Sequence, residues 1–332
     1  MKETDDYIEI INDDPAEDNR PVDIPVITIE SSITDGPPPP PEKRKHPWGR
    51  TIWMAVGILA LAIIIGALWR YRFWMVDPSV SSSVSDADNI AYLSSDITSP
   101  VEGKGITTAT DSILGVAFTS YPLAGLQGSL EKEIPDTADR SVVLMMRSAD
   151  YYPDGTTIGT VVVDGDILPA KEKRTRPGYI ALSKDGKTAV GISLNDKLSD
   201  FAADAGGSFF RQFAILGSGD LPAAFALHGK VERGAIGRMA DGTLHYFLTR
   251  HKESMYDFAD ALREYGVMDA VYITGGNGYE FYRDKEGEAH VSPQLREHYA
   301  KYPDHKAPAP MLVFRTSAAV NGVGSDSSSL MN

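Results

Sequence analysis

The chain of 332 residues contains no cysteine. That absence excludes thiolate nucleophiles, cysteine zinc sites and disulfide staples. A domain outside the cytoplasm must then hold itself by its core alone, which a domain of roughly 200 residues can do. The absence suits a bacterial periplasm better than an animal secretory route. A basic face is missing too. Lys and Arg number 32 against 46 Asp and Glu, a net charge of −14, so nucleic acid is not an expected partner. The 7 histidines show no H-E-x-x-H spacing, and the cofactor is left unassigned. Tryptophan is absent outside one window, where Trp48, Trp53, Trp69 and Trp74 make up all 4.

Between those tryptophans Thr51 to Trp69 carries no charge. At ~1.5 Å rise per residue, about 19 helical residues span roughly 30 Å, the thickness of a bilayer's hydrocarbon core. Tryptophan at both ends fits the interfacial belt. Lys43, Arg44, Lys45, His46 and Arg50 precede the run, and only Arg70 and Arg72 follow it. The richer basic flank belongs in the cytoplasm. The expectation is a single-pass signal anchor over 48–74 in a bacterial inner membrane, with a cytoplasmic N-terminus and the main domain outside. A cleaved signal peptide fits poorly, because 47 residues come first and no A-x-A-like site follows promptly.

Residues 1–42 hold twelve acidic residues against Lys2 and Arg20. With the proline run Pro37–Pro41, residues 1–47 read as a disordered acidic tail. Its short apolar pieces (Ile8, Ile10, Ile11; Val26, Ile27, Ile29) leave a cytoplasmic docking partner as the alternative to a solvated tail. Residues 75–110 are rich in serine and read as a stalk. Residues 317–332 read as a disordered tail, which leaves 111–316 as one domain.

Within that domain Val142–Met146 is a continuous apolar run, as in a buried strand. Thr160–Val163 leads into Asp164-Gly165, Tyr179–Leu182 into Asp185-Gly186, and Ala235–Gly237 into Asp241-Gly242. Each Asp-Gly step marks a tight hairpin. A helix is expected after the cap Ser254, on the spacing of Met255, Phe258, Ala259, Leu262 and Tyr265, with Gly266 as its stop. A β-branched run, Ala270–Thr274, and the pair Gly275-Gly276 follow. A weaker helix is expected over Leu198–Ala205 and a last strand over Met311–Arg315. The fold class is α+β: a mixed, largely antiparallel sheet domain with a few packed helices, preceded by one transmembrane helix.

The order of three segments is similar to that of the phosphodiester glycosidase family. RSADYYPDGTTIGTVVVDGDIL (147–168) resembles its N-A-x-F-F…G segment. FRQFAILGSGDLPAAFALHGKVERGAIGRMADGTL (210–244) resembles its Q-x-G-P…R-x-A-I-G-x-x-x-D-G segment. SMYDFADALREYGVMDAVYITGGNG (254–278) resembles its helix, strand and D-G-G-G-S loop. Thr274 stands where many members carry an acidic residue, and Arg147 where the first segment usually has Asn.

The resemblance implies cleavage of a sugar-1-phosphodiester in an envelope or exopolysaccharide glycan. Such chemistry calls for a guanidinium clamp on phosphate and a carboxylate at the anomeric centre. Candidate catalytic carboxylates are Glu280, just after the glycine loop, and Asp150, beside Tyr151 and Tyr152; Asp284 is weighed beside them, and Asp269 reads as a turn residue. Candidates for binding the sugar and phosphate are Arg147, Arg211, Arg233, Thr274, Gly275, Gly276 and Asn277, with Arg238 behind them. Tyr279, Phe281 and Tyr282 are a candidate sugar platform or a half-buried strand. Each arginine has an alternative as a structural ion pair, and the glycine pair as a turn without ligand. Two functions stay open: a glycosidase, or a non-catalytic module of the same fold that binds a glycan or a partner.

Overall fold

A computed structural model of the chain describes residues 48–74, 79–96, 103–152, 154–172, 176–273, 280–301 and 306–316. The expected tails 1–47 and 317–332 lie outside the described residues, as do Thr274, Gly275, Gly276, Asn277 and Tyr279.

Helix α1 runs over Trp48–Trp74. The chain divides into two units within it, Met1–Leu59 and Ala60–Asn332. The side chains described in α1 extend from Trp53 to Gly66 and are exposed. Among the described residues no helix is long and apolar enough to cross a membrane. The uncharged run in the sequence, Thr51 to Trp69, is longer than that stretch at both ends.

The second unit continues with α2 (Asp86–Ser94), β1 (Ala109–Ile113), β2 (Val116–Pro122), β3 (Gln127–Glu133) and β4 (Val142–Arg147). Short strands follow: β5 (Thr157–Ile158), β6 (Val161–Val163), β7 (Asp166–Ile167) and β8 (Ala170–Glu172). Next come β9 (Gly178–Leu182), β10 (Thr188–Ile192), α3 (Lys197–Asp204), β11 (Ser208–Gln212) and β12 (Ala214–Leu216). The remainder is β13 (Gly234–Met239), β14 (Leu244–Thr249), α4 (Met255–Glu264), β15 (Val267–Ile273), β16 (Phe281–Arg283), β17 (Ala289–Val291), α5 (Pro293–Lys301) and β18 (Lys306–Arg315).

Three sheets form from these strands, in the orders β1-β2-β14-β13-β15-β12, β10-β9-β11-β6-β7 and β17-β16-β4-β18-β3. All their described pairings are antiparallel, and the small β5-β8 pair is parallel. The Asp-Gly hairpins appear as β6–β7, β9–β10 and β13–β14. At the first, Asp164 and Gly165 have φ of 51° and 86°, the left-handed pair a two-residue turn requires. Helix α4 starts where Ser254 Oγ accepts the Asp257 amide at 3.0 Å. Its face of Met255, Phe258, Ala259 and Leu262 packs on Phe118, Phe247 and Ala270. One core takes Leu144 and Met146, Ile180 and Phe210, and Ile236 and Ile273 from the three sheets in turn.

The stretch expected as a stalk is corrected by what residues 79–96 do. Val80 is buried with Ile192 and Ala214. The carboxylate of Asp269, fully buried in β15, accepts the Ser83 amide at 2.9 Å, the Ser218 amide at 3.0 Å, and the hydroxyls of Ser82 and Ser83. Asp269 is therefore an anchor within a strand, where a turn was expected. Helix α2 is capped by Ser85 at 3.2 Å, and its Leu93 joins a core with Tyr179, Leu198 and Phe209. Asn89 of α2 donates to Tyr179 Oη at 2.8 Å and to the Val190 carbonyl at 3.2 Å. Lys187 Nζ caps the far end of the helix, on the carbonyls of Tyr92, Ser95 and Asp96. The serines read as a linker because serine carries no apolar signal; here they supply hydrogen-bond donors to a buried charge.

Replacing Asp269 with Ala leaves those donors and Arg238 uncompensated, at a cost of about 3–5 kcal/mol. Urea unfolding should show that loss, and limited proteolysis should cut first between 79 and 96. Cleavage at the wild-type rate there would show that Asp269 does not hold the segment.

Candidate functional site

Glu280 directly precedes β16, whose Phe281 pairs with Met145 and Tyr282 with Leu144. Alternate residues of a strand share a face. Tyr282 packs on the shared core, and Glu280 lies on that same side, where Tyr246 Oη donates to its Oε1 at 3.3 Å. Tyr246 is buried and sits 5.6 Å, ring to ring, from Tyr121, which in turn lies 5.3 Å from Tyr282. Burial raises the Glu280 carboxyl from 4.5 to about 7; the Tyr246 hydroxyl pulls it down in part, and the Glu232 charge adds to the rise. Burial likewise pushes the Tyr246 hydroxyl well above its ordinary range. A carboxyl poised near neutrality can give a proton to a leaving oxygen or take one from water.

The hydroxyl of Tyr246 reaches this place because residue 234 is glycine. A Cβ there would lie 2.8 Å from that hydroxyl. Gly234 pairs with Ile273, so Arg233 and Gly234 stand beside the end of β15, from which residues 274–279 lead to Glu280.

A second network adjoins this end of the sheet. Asp150 Oδ2 accepts Arg176 Nη1 at 2.5 Å, and Arg176 also donates to Gln212 Oε1 at 2.6 Å. The guanidinium of Arg176 lies 4.4 Å from the centre of the Phe213 ring. Arg233 lies over the Tyr272 ring at 5.8 Å. Burial raises the Tyr272 hydroxyl; Arg233 and Arg176 act against the rise and Asp150 adds to it. Asp150, Arg176, Tyr272 and Arg233 thus form one electrostatic group, with both expected charges, Asp150 and Arg233, inside it.

Other expected residues are placed elsewhere. Arg211, expected as a clamp, is engaged within the fold. It is 1 % exposed, over the Phe209 ring, and its guanidinium donates to the carbonyls of Ser193 at 2.6 Å, Arg176 at 3.3 Å and Asn195. Its desolvation lowers its pKa. Ser193 and Asn195 belong to the loop before α3 and Arg176 to the segment before β9, and Arg211 ties the two together. Arg233 spends part of its fork in the same way, on the carbonyls of Glu253 at 3.1 Å and Gly229 at 2.7 Å. Arg147 ends β4 opposite Met311, and its charge offsets some of the burial that raises the Tyr151 hydroxyl. Phe281 is fully buried in a core with Met145 and Leu295, so it offers no face to a sugar. Tyr282 instead stacks on His290 at 4.4 Å. Asp284 pairs with His290 at 2.8 Å, and these two with Glu288 form the one group of potential metal ligands among the described residues, its atoms within 4.8 Å of one another. It lies on the β16–β17 hairpin and is largely exposed.

Sequence reasoning missed Tyr246, Tyr272, Arg176 and Gln212. Tyr246 and Tyr272 read as ordinary strand residues. Arg176 sits in a basic loop whose only local signal was charge.

The phosphodiester glycosidase family model matches residues 141–307. The chain belongs to this family. Its match takes in Asp150, Arg176, Gln212, Arg233, Tyr246, Tyr272 and Glu280. Among solved structures the chain is similar to the zebrafish N-acetylglucosamine-1-phosphodiester alpha-N-acetylglucosaminidase catalytic domain, auto-inhibited by its pro-peptide. Identity is 14%, coverage 71% of this chain and 86% of that one, and the TM-score 0.46. It is also similar to a hypothetical protein from Synechocystis, at 10% identity, 63% and 61% coverage and a TM-score of 0.44. A putative exported protein from Burkholderia pseudomallei follows, at 11% identity, 64% and 58% coverage and a TM-score of 0.22. No curated protein matches the chain.

Two outcomes follow for family members built this way. Because the Glu280 carboxyl is raised above its unfolded value of 4.5, the folded state holds the extra proton. Stability then falls as pH rises from about 4.5 to about 7 and is flat beyond. At about 1.4 kcal/mol per pK unit the loss is on the order of 3 kcal/mol. Glu280→Gln should remove this slope and unfold at higher urea than wild type at pH 8; equal slopes would place the titration elsewhere. Arg211→Met should lower the unfolding midpoint, with each lost charged hydrogen bond worth about 1.5–3 kcal/mol. Its folded fraction should keep the KM of wild type, whereas a raised KM would restore Arg211 as a ligand.

Proposed function

We propose that this protein is a membrane-anchored, extracytoplasmic phosphodiester glycosidase acting on a sugar-1-phosphodiester of an envelope or exopolysaccharide glycan. The observation that carries the reading is the Glu280 carboxyl raised to about 7 beside Tyr246, next to the Asp150–Arg176–Tyr272–Arg233 group. Family membership supplies the reaction class.

In this reading the bond between the anomeric carbon and the phosphate oxygen breaks, and water forms the new bond to that carbon. Glu280 holds the proton that passes to the leaving phosphate oxygen. Asp150, ion-paired with Arg176, takes the proton from water and offsets the positive charge that develops on the sugar ring. Arg233, and the backbone of Gly275-Gly276 with Thr274 and Asn277, bind the phosphate. The products are a free sugar and a phosphomonoester.

Membrane anchoring is supported by the uncharged run Thr51–Trp69, by its exposed Ile58, Leu59, Leu61, Ile63, Ile64 and Ile65, and by the basic residues before it. On that reading the acidic tail lies in the cytoplasm. The second reading, a non-catalytic module that binds a glycan or a partner, is favoured by one observation. Arg211 and part of Arg233, expected to hold phosphate, are engaged by backbone carbonyls.

Release of sugar from a sugar-1-phosphodiester by the purified full chain decides between them. Wild type should turn over, with kcat/KM falling above pH 7. Glu280→Gln and Asp150→Asn should each lose about 10²–10⁴-fold in kcat. Arg233→Ala should chiefly raise KM. Calorimetric binding without release would select the second reading.

A further inference from the structure

A cavity of about 440 Å³ lies between α2 and three turns of the body: Leu123–Gln127, Asp185–Thr188 and Gly242–Leu244. That is within the ~300–1,000 Å³ of small-ligand clefts. Glu280 does not line it, and Leu244, which does, stands two residues from Tyr246 on β14. Arg238 of β13 lines it, five residues after Arg233, a separation of roughly 17 Å at ~3.4 Å per extended residue.

Its wall is fixed and its polar groups are only partly used. Helix α2 is held by Leu93 in the core, by Asn89 and by the Lys187 cap. Arg238 Nη2 donates to Asn89 Oδ1 at 3.3 Å and to the Val190 carbonyl at 2.9 Å, and its Nε faces Asp269 at 3.7 Å. That Nε and the hydroxyl of Thr188, which also lines the cavity, are buried without a hydrogen bond among the described residues, and Gln127 and Tyr92 add an amide and a phenol to the lining. Leu126 and Leu244 supply apolar wall. The charges are balanced: Asp88 and Asp185 stand against Arg238, and Lys187 is already spent on the carbonyls at the end of α2.

We infer that this cavity is a second binding site, and that it takes a neutral saccharide. A free anion would meet two carboxylates and a single available guanidinium. A sugar matches unspent donors and acceptors spaced around an aromatic and two aliphatic side chains. The site does not depend on catalysis at Glu280; it would let the domain hold one stretch of a glycan chain while another stretch is presented elsewhere.

The test is isothermal titration of the full chain with cellobiose and with maltose, in a detergent that has no sugar headgroup. Wild type and Glu280→Gln should bind at least one disaccharide with equal affinity. Ala124→Trp, which places an indole on an exposed turn residue at the rim, should weaken binding at least tenfold and leave glycosidase turnover unchanged. Arg238→Met should weaken it as well. The inference is overturned if neither disaccharide binds, if Ala124→Trp binds like wild type, or if Glu280→Gln abolishes binding. Inorganic phosphate that binds wild type but not Ala124→Trp would overturn the neutral class. If the chain binds a disaccharide yet releases sugar from no sugar-1-phosphodiester, the glycosidase reading fails and this one stands.

Discussion

Leu144 and Met146, Ile180 and Leu182, and Val271 and Ile273 come from three different sheets, and all six pack into one apolar core. Burial of a side chain of this size is worth about 1.5–3 kcal/mol. In a chain without cysteine, that shared core does what a disulfide would otherwise do. It also sets the chemistry. Glu280 and Tyr246 stand at its edge, and the low polarity there keeps a proton on a carboxyl near neutral pH. Burial elsewhere in the domain makes each unpaired donor costly too, which is why Arg211 and Arg233 are found on carbonyls.

Much of the fold was legible in local signals. The three Asp-Gly steps turned the chain where hairpins form, because each glycine takes a positive φ that other residues seldom adopt. Ser254 and the spacing behind it marked α4, and Val142–Met146 marked a central strand. What was not legible depends on partners far away in the chain. Ser82 and Ser83 look like linker until Asp269 is placed against them. Strand β3, QGSLEKE, buries only Gly128 and Leu130 fully, so its alternation is short and easily lost.

The candidate site divides in the same way. Glu280 stood out by its place after a glycine loop, and Asp150 by its aromatic neighbours. What each carboxylate does there is set by Tyr246 and Arg176, 34 and 26 positions away. Arg211 illustrates the converse. Its place after Gly206-Gly207 suggested a ligand, but position alone does not reveal that its fork faces carbonyls of the Ser193–Asn195 loop.

The Ser83–Asp269 contact joins positions 186 apart. A ribosome adding about 5–20 residues per second needs roughly 10–40 s to cross that interval. Throughout it the first docked piece of the domain has been made and its acceptor has not. The Ser82 and Ser83 donors must wait, unsatisfied, until β15 emerges. Helix α2, whose partners lie between Tyr179 and Phe209, can dock before β15 is made, whereas a nascent chain stalled short of residue 269 carries an open seam where Ser82 and Ser83 would otherwise lie.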